Sequence, residues 1–217
     1  MKVTNLHFQH RKHAPFFFKG LSFQLEPGKL HALHGKNGIG KSVLLNILSQ
    51  NIEQEAVITG EIFGTSPAVL MNQRFDQALA GQFTALENLA FARFGRFPSL
   101  FAPLRRGKER ESLEHFLEPF HIEPHVPVCN LSGGQRQILT LLMQLQRETK
   151  VLLLDEPTAA LDEENAILVF EFLKTLRDVT LLVVCHDREL VTKYTTGQHL
   201  QMELQGEGLR VIYQASS

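Results

Sequence analysis

The chain has 217 residues and a formal net charge of −1, with 43% hydrophobic and 21% charged residues. That balance suits one large α/β domain, or a domain with a small insert, and it can bury a sizeable core. It gives no global electrostatic case for nucleic acid or acidic lipid. No apolar run approaches the ~20 residues of a membrane span, the segment 1–12 lacks the apolar stretch of a signal peptide, and the two distant cysteines, Cys129 and Cys185, read as structural thiols of a reducing cytosol.

Apolar residues cluster in strand fashion over 3–8 and 21–25, and Pro27-Gly28 marks a turn before a strand at 29–34. A glycine-rich loop, 35–40, follows. Val43, Leu44, Leu45, Ile47 and Leu48 then give 41–49 the broad apolar face of a helix. Short strands are expected at 59–63 and 68–72, and a helix at 84–94. From Phe75 to about Pro127 the composition changes. It is rich in Phe and helix formers, broken by Pro98, Pro103, Pro119, Pro124 and Pro127, and it reads as an inserted helical subdomain. A long helix is expected at 132–148, opened by Gly133-Gly134. The wholly apolar run 151–154 reads as a buried parallel strand. A helix at 163–177, a buried strand at 180–185, a short helix at 188–195 and a hairpin over 198–213 around Gly206-Glu207-Gly208 complete the chain. Histidine triplet spacing at His7, His10 and His13, and at His31 and His34, does not read as a metal site. The first set lies in an extended segment, and on a strand a spacing of three points to opposite faces.

Gly35-Lys36-Asn37-Gly38-Ile39-Gly40-Lys41-Ser42 matches G-x-x-x-x-G-K-[ST] between a strand and a helix, the context of a phosphate loop. Glycines let backbone N–H groups approach phosphate oxygens, and the helix start turns its positive dipole end to the same anion. Lys41 is expected at the β- and γ-phosphates, and Ser42 at Mg²⁺. Asp155 ends the buried strand and is expected to hold the Mg²⁺ shell. Glu156 is then placed to orient or deprotonate the attacking water.

Residues 35–42, Gln73, Leu131-Ser132-Gly133-Gly134-Gln135, 151–157, Ala160-Leu161-Asp162 and His186 occur in the order of the ATP-binding cassette ATPases. The chain resembles that family over essentially its whole length. The resemblance implies an α/β phosphate-loop NTPase with a mixed, largely parallel core sheet, an N-terminal antiparallel β-subdomain and an inserted helical subdomain. On this reading 1–217 is one cassette, with 1–74 and 150–217 as the catalytic core and 75–149 as the helical part. It further implies that Gln73 touches Mg²⁺ or the lytic water, and that Ser132, Gly133, Gly134 and Gln135 cap the γ-phosphate bound by a second subunit. Asp162 is implied to cross the dimer interface, and His186 to reach the γ-phosphate.

Three departures from the family stand out. Val43 replaces the usual Thr after Ser42, so one hydroxyl contact to phosphate is lost. The adenine-stacking aromatic, expected near 11–13, has no tyrosine to fill it. His13 or Phe16 is the candidate substitute, although 16–18 reads equally as a buried strand, and GTP is expected to compete with ATP. The length also leaves no room for an appended regulatory domain. Phe91, Phe94, Phe97 and Phe101, amid Arg93, Arg96, Arg105, Arg106, Lys108 and Arg110, read as a subdomain core with a basic rim, because Pro98 and Pro103 break any long amphipathic helix. An apolar groove beside Gln73 is the implied seat for a membrane subunit.

The function implied is the ATPase subunit of a transporter. It would use ATP and Mg²⁺, pair with a second copy or a related ATPase subunit, and dock on the cytoplasmic face of the cell membrane through a permease, with a solute-binding protein as a further partner. The segment 131–143 with 159–162 is similar to importer ATPases for amino-acid-like solutes. The alternatives are an export or lipid-extrusion ATPase and a non-transport member. Repair members insert coiled coils and ribosomal members fuse two cassettes, and neither feature is present. A nucleotide clamp without turnover is the third reading, and Glu156 argues against it.

Overall fold

The computed structural model describes residues 1–64, 68–71, 79–94, 108–146, 149–205 and 209–214. They group into two compact units. One comprises Met1–Leu70, Thr149–Glu156 and Phe170–Ser217, and the other comprises Met71–Glu148 and Pro157–Val169.

The first unit holds two sheets. Strand β1 (Lys2–Gln9) lies between β2 (Phe18–Gln24) and β4 (Val57–Phe63) in an antiparallel sheet of order β2-β1-β4. Leu6 pairs with Leu21 and Phe8 with Phe18. Every inward residue of this part of β1 is therefore apolar, as period-two burial requires. Phe18 opens β2 fully buried while Phe16 is 43% exposed. This settles the ambiguity of the Phe run: its last ring is core and its first is surface.

The second sheet has the order β5-β6-β7-β3-β8-β9, from β3 (Leu30–His34), β5 (Val69–Met71), β6 (Val151–Asp155), β7 (Thr180–Val184), β8 (His199–Gln205) and β9 (Leu209–Gln214). Neighbours β6, β7, β3 and β8 run parallel, and β9 returns antiparallel to β8. Strands β3, β6 and β7 are buried along nearly their whole length, which explains the apolar runs at 151–154 and 181–184. Helix α1 (Lys41–Leu48) buries Leu44, Leu45, Ile47 and Leu48. These join Phe18, Leu33, Leu153, Leu182 and Met202 in one core shared by both sheets. Because β6, β7 and β3 are parallel neighbours, the segments that leave their carboxyl ends emerge along one edge, where open α/β sheets bind ligands.

The second unit is helical. Helix α2 (Ala85–Phe94) starts at a reciprocal cap. Glu87 N–H donates to Thr84 Oγ1 at 3.2 Å, and Thr84 N–H donates to Glu87 Oε2 at 2.7 Å, the T-x-x-E capping box. Helix α4 (Gly133–Leu145) packs with α2, and α3 (Lys108–His115) also meets α2. Leu86, Leu89, Leu113, Leu117, Ile138 and Leu142 are buried. Helix α5 (Glu163–Thr175) begins in this unit and ends in the first, and α6 (Arg188–Tyr194) belongs to the first. The sequence showed no separate helix at α3, a short charged stretch between prolines. No helix among the described residues is long and apolar enough to cross a membrane. Gln73, Phe97, Phe101, Arg96, Arg105, Arg106 and Gly206-Glu207-Gly208 lie outside the described residues.

Candidate nucleotide site

The phosphate loop leaves β3 at His34 and enters α1 at Lys41, as its motif requires. Gly40, at the helix N-cap, has φ +111°, and a Cβ there would stand 2.6 Å from the Phe17 ring. Both the backbone angle and the close approach demand glycine. Lys36, Asn37 and Gly38 are exposed, Ile39 is buried, and Ser42 is exposed in the first turn of α1. Val43 is half-buried and packs on the core, so the position that lost its hydroxyl now supports α1. The Lys41 ammonium is held over the loop, donating to the carbonyl of Gly35 at 2.8 Å and of Lys36 at 3.2 Å. Burial pushes its pKa down, and the charges of Glu156 and Asp155 push back.

Asp155 ends β6 half-buried, and Glu156 follows at 6% exposure. Glu156 has φ +55°, a left-handed conformation that costs a non-glycine residue roughly 1–3 kcal/mol. Its amide donates to the Val184 carbonyl at 2.8 Å, which fixes the turn against β7. Its carboxylate accepts the His186 amide at 3.3 Å, and His186 Nε2 lies 3.2 Å from the other carboxylate oxygen. Burial raises the carboxyl pKa, and the nearby His186 opposes that rise. The structure thus brings Gly35, Lys41, Ser42, Asp155, Glu156 and His186 into one unit, on segments that leave the parallel strands.

The donor set fits a nucleotide with Mg²⁺. The loop supplies backbone N–H groups and a helix N-terminus for anions. The Ser42 hydroxyl and Asp155 carboxylate are oxygen donors of the kind Mg²⁺ takes in small number while keeping waters.

The signature pentapeptide lies in the helical unit. Leu131 is buried and anchors it. Ser132 is the N-cap of α4: its Oγ accepts the Gln135 amide at 3.1 Å, and the Gln135 side-chain oxygen accepts the Ser132 amide at 3.1 Å. Gly133 and Gly134 therefore open a helix whose first-turn N–H groups face outward without intrahelical acceptors. Gln137, buried in α4, accepts the Ala160 amide at 3.2 Å and ties α4 to the loop before Asp162. The Asp162 carboxylate accepts the Asn165 amide at 2.9 Å and caps α5.

His13 is an exposed turn residue with φ +66°, and Phe16 packs edge-on against His7, centroids 5.6 Å apart. Phe17 takes the place beside Gly40, with the His10 ring edge-on to it at 5.0 Å. Counting along the chain missed this, because the bend after β1 sets which of several aromatic residues returns to the loop. A second feature had no sequence signal: His34 and His199, 165 residues apart, are hydrogen-bonded.

The family model "ABC transporter" matches residues 18–159. The chain is 34% identical over 211 residues to a tyrosine transport ATP-binding protein of Clostridioides difficile (strain R20291), covering 88% of this chain and 81% of that protein. It is 30% identical over 222 residues to the lipoprotein-releasing system ATP-binding protein LolD of Acinetobacter baylyi (strain ATCC 33305 / BD413 / ADP1), covering 90% and 91%. Against the ribose import ATP-binding protein RbsA of Ruegeria sp. (strain TM1040), 32% identical, it spans 35% of the relative's length. The solved dimeric structure of MJ0796, a bacterial ABC transporter cassette, superposes with a TM-score of 0.71 at 22% identity, covering 92% of this chain and 93% of that one. On the strength of these matches and of the motifs in their places, this chain belongs to the ABC transporter family and is an ABC ATPase.

Proposed function

We propose that this chain powers a transporter. Two copies, or one copy and a related ATPase subunit, would enclose two ATP–Mg²⁺, and their closing and reopening would drive a separate membrane permease. The chain would then sit on the cytoplasmic face of the membrane, and the helical part, 75–149, would carry the signature to the partner's nucleotide. One observation carries this reading: the second anion-binding helix start, 132–135, belongs to a different compact unit from the phosphate loop.

Lys41 and the loop amides bind and orient the triphosphate. Ser42 and Asp155, with Gln73, would hold Mg²⁺, which neutralises phosphate charge when bound. Glu156, ionised, accepts the proton of the attacking water, and its burial makes it a stronger base than a free carboxylate. His186 starts on Glu156 and moves to the γ-phosphate when nucleotide arrives. Ser132, Gly133 and Gly134 stabilise charge on the γ-phosphate of the opposite copy, and Asp162 crosses to that copy.

Import of a solute is the direction we favour, supported by the relatives named for tyrosine transport and ribose import. The similarity to a lipoprotein-releasing ATPase supports lipid extrusion as the second reading.

The test uses two variants. Glu156→Gln and Ser132→Arg are each expected to bind ATP and to lose turnover by about 100-fold or more. Mixed, they are expected to recover activity, because each mixed dimer rebuilds one complete site. Wild-type turnover by Ser132→Arg alone, or no recovery in the mixture, refutes the two-chain site. A wild-type rate in Glu156→Gln removes its proposed role.

A further inference from the structure

His34 ends β3 and His199 opens β8, its parallel neighbour. His34 Nε2 lies 3.0 Å from His199 Nδ1. The ring planes differ by 10°, with centroids 5.3 Å apart. That separation exceeds the nitrogen–nitrogen distance by about a ring's width. The rings therefore meet end to end, and a lone pair on one nitrogen faces an N–H on the other. The pair holds one proton between its facing nitrogens.

What the pair touches next is the phosphate loop. His34 is bonded to Gly35, where the loop begins. Strand β8 supports the same glycine: a Cβ at Gly35 would stand 2.9 Å from the Met202 carbonyl oxygen. The Gly35 carbonyl in turn accepts the Lys41 ammonium at 2.8 Å. A continuous line thus runs from β8 through the histidine pair and Gly35 to the lysine.

The charges acting on His34 come from three elements: His199 on β8, Arg188 on α6 and Lys41 on α1. Among the described residues none of the groups acting on it is a carboxylate. Burial first, and then these charges, lower the His34 pKa from its ordinary value. A polyanion in the loop offsets Lys41 and Arg188 and favours an imidazolium at His34. That imidazolium donates to the facing His199 nitrogen, now as a stronger charge-assisted bond.

We infer that His199, acting through His34, positions the start of the phosphate loop, and that the pair takes up a proton when a nucleoside polyphosphate binds, so that nucleotide affinity rises as pH falls toward 6. This rests on the reading that residues 35–42 hold the phosphates. Linkage makes the two effects reciprocal: what favours the proton on binding favours binding in acid.

The experiment is calorimetric titration of the whole chain with ADP, in two buffers of different ionisation enthalpy, at about pH 6 and about pH 8, on either side of the histidine range. ADP leaves out the γ-phosphate and any role of His186 there. The wild type is expected to take up protons at the lower pH and to bind about fivefold more tightly there, at the low end of ordinary coupling between sites. His34→Gln and His199→Gln keep a hydrogen-bonding amide that does not titrate. They are expected to bind ADP at the higher pH and to lose both the uptake and the slope. Binding without uptake in the wild type, or unchanged uptake in both variants, overturns the inference. Should the variants not fold, the His34 ring resonance of the wild type decides. Its titration must move to higher pH in saturating ADP, and an unmoved titration overturns the inference equally. Failure of ADP to bind the wild type at either pH is a separate result, and it overturns the loop assignment itself.

Discussion

His31 is fully buried in β3, and its tautomer follows from its partners. The Gln198 backbone N–H donates to Nδ1 at 2.9 Å. Nε2 must then carry the hydrogen, which it gives to the Glu26 carbonyl at 3.0 Å. The ring is neutral, both nitrogens are used, and the sheet edge before β8 is tied to the turn before β3. Replacing it with leucine, His31→Leu, removes both bonds, whose donor and acceptor are part-buried. Each such bond is worth about 0.5–1.5 kcal/mol net, so the loss is about 1–3 kcal/mol. In a domain of this size that lowers Tm by roughly 2–12 °C. Acid should act on the same residue. Burial lowers the His31 pKa, so the unfolded chain binds more protons than the folded one below its own value of about 6.5. Stability is then complete above that pH and is lost as pH falls through it. His34 shifts in the same direction and adds to the slope. Thermal melts of wild type and His31→Leu across this range check both parts: the variant should melt lower at neutral pH and lose less on acidification. A variant melting within about 1 °C of wild type at neutral pH refutes the argument from these two bonds.

Two further outcomes are expected. Ser132→Ala removes the oxygen that accepts the Gln135 amide and should cost about 1 kcal/mol, lowering Tm by roughly 2–4 °C; an unchanged Tm in differential scanning would show that the capping box adds nothing. GTP should bind within about tenfold of ATP, because the segment expected to stack the base, 11–13, has no tyrosine. Competition titrations showing an ATP preference above about a hundredfold exclude this.

Much of this site could be read from residue order alone, for a physical reason. The loop, Asp155, Glu156 and His186 each stand at or just past the end of a buried strand, and the apolar runs 151–154 and 181–184 fit a sheet covered on both faces. Once β3, β6 and β7 are parallel neighbours, their ends must lie together. The capping boxes at Thr84 and Ser132 join residues only three apart, a local pattern that the expectation of helices at 84–94 and 132–148 did not include. What else escaped depends on distant register. His34 meets His199 only because β8 pairs with β3, and nothing near either residue announces it. Phe17 meets Gly40 through a bend that spacing does not encode. Helix α3 lacks an apolar face long enough to mark it.

The capping oxygen of Ser132 has a second consequence. One lone pair of the hydroxyl is committed inward, to the Gln135 amide, while among the described residues its hydrogen is given to no acceptor. The residue is exposed. A single atom therefore divides its two hydrogen-bonding faculties between the interior of its own helix and whatever lies in front of it. Aspartate would serve the inward task as well as serine, since it caps helices equally, yet it would offer an anion charge in place of a proton. Helix stability and anion recognition at this position are chemically separable, and the serine hydroxyl satisfies both.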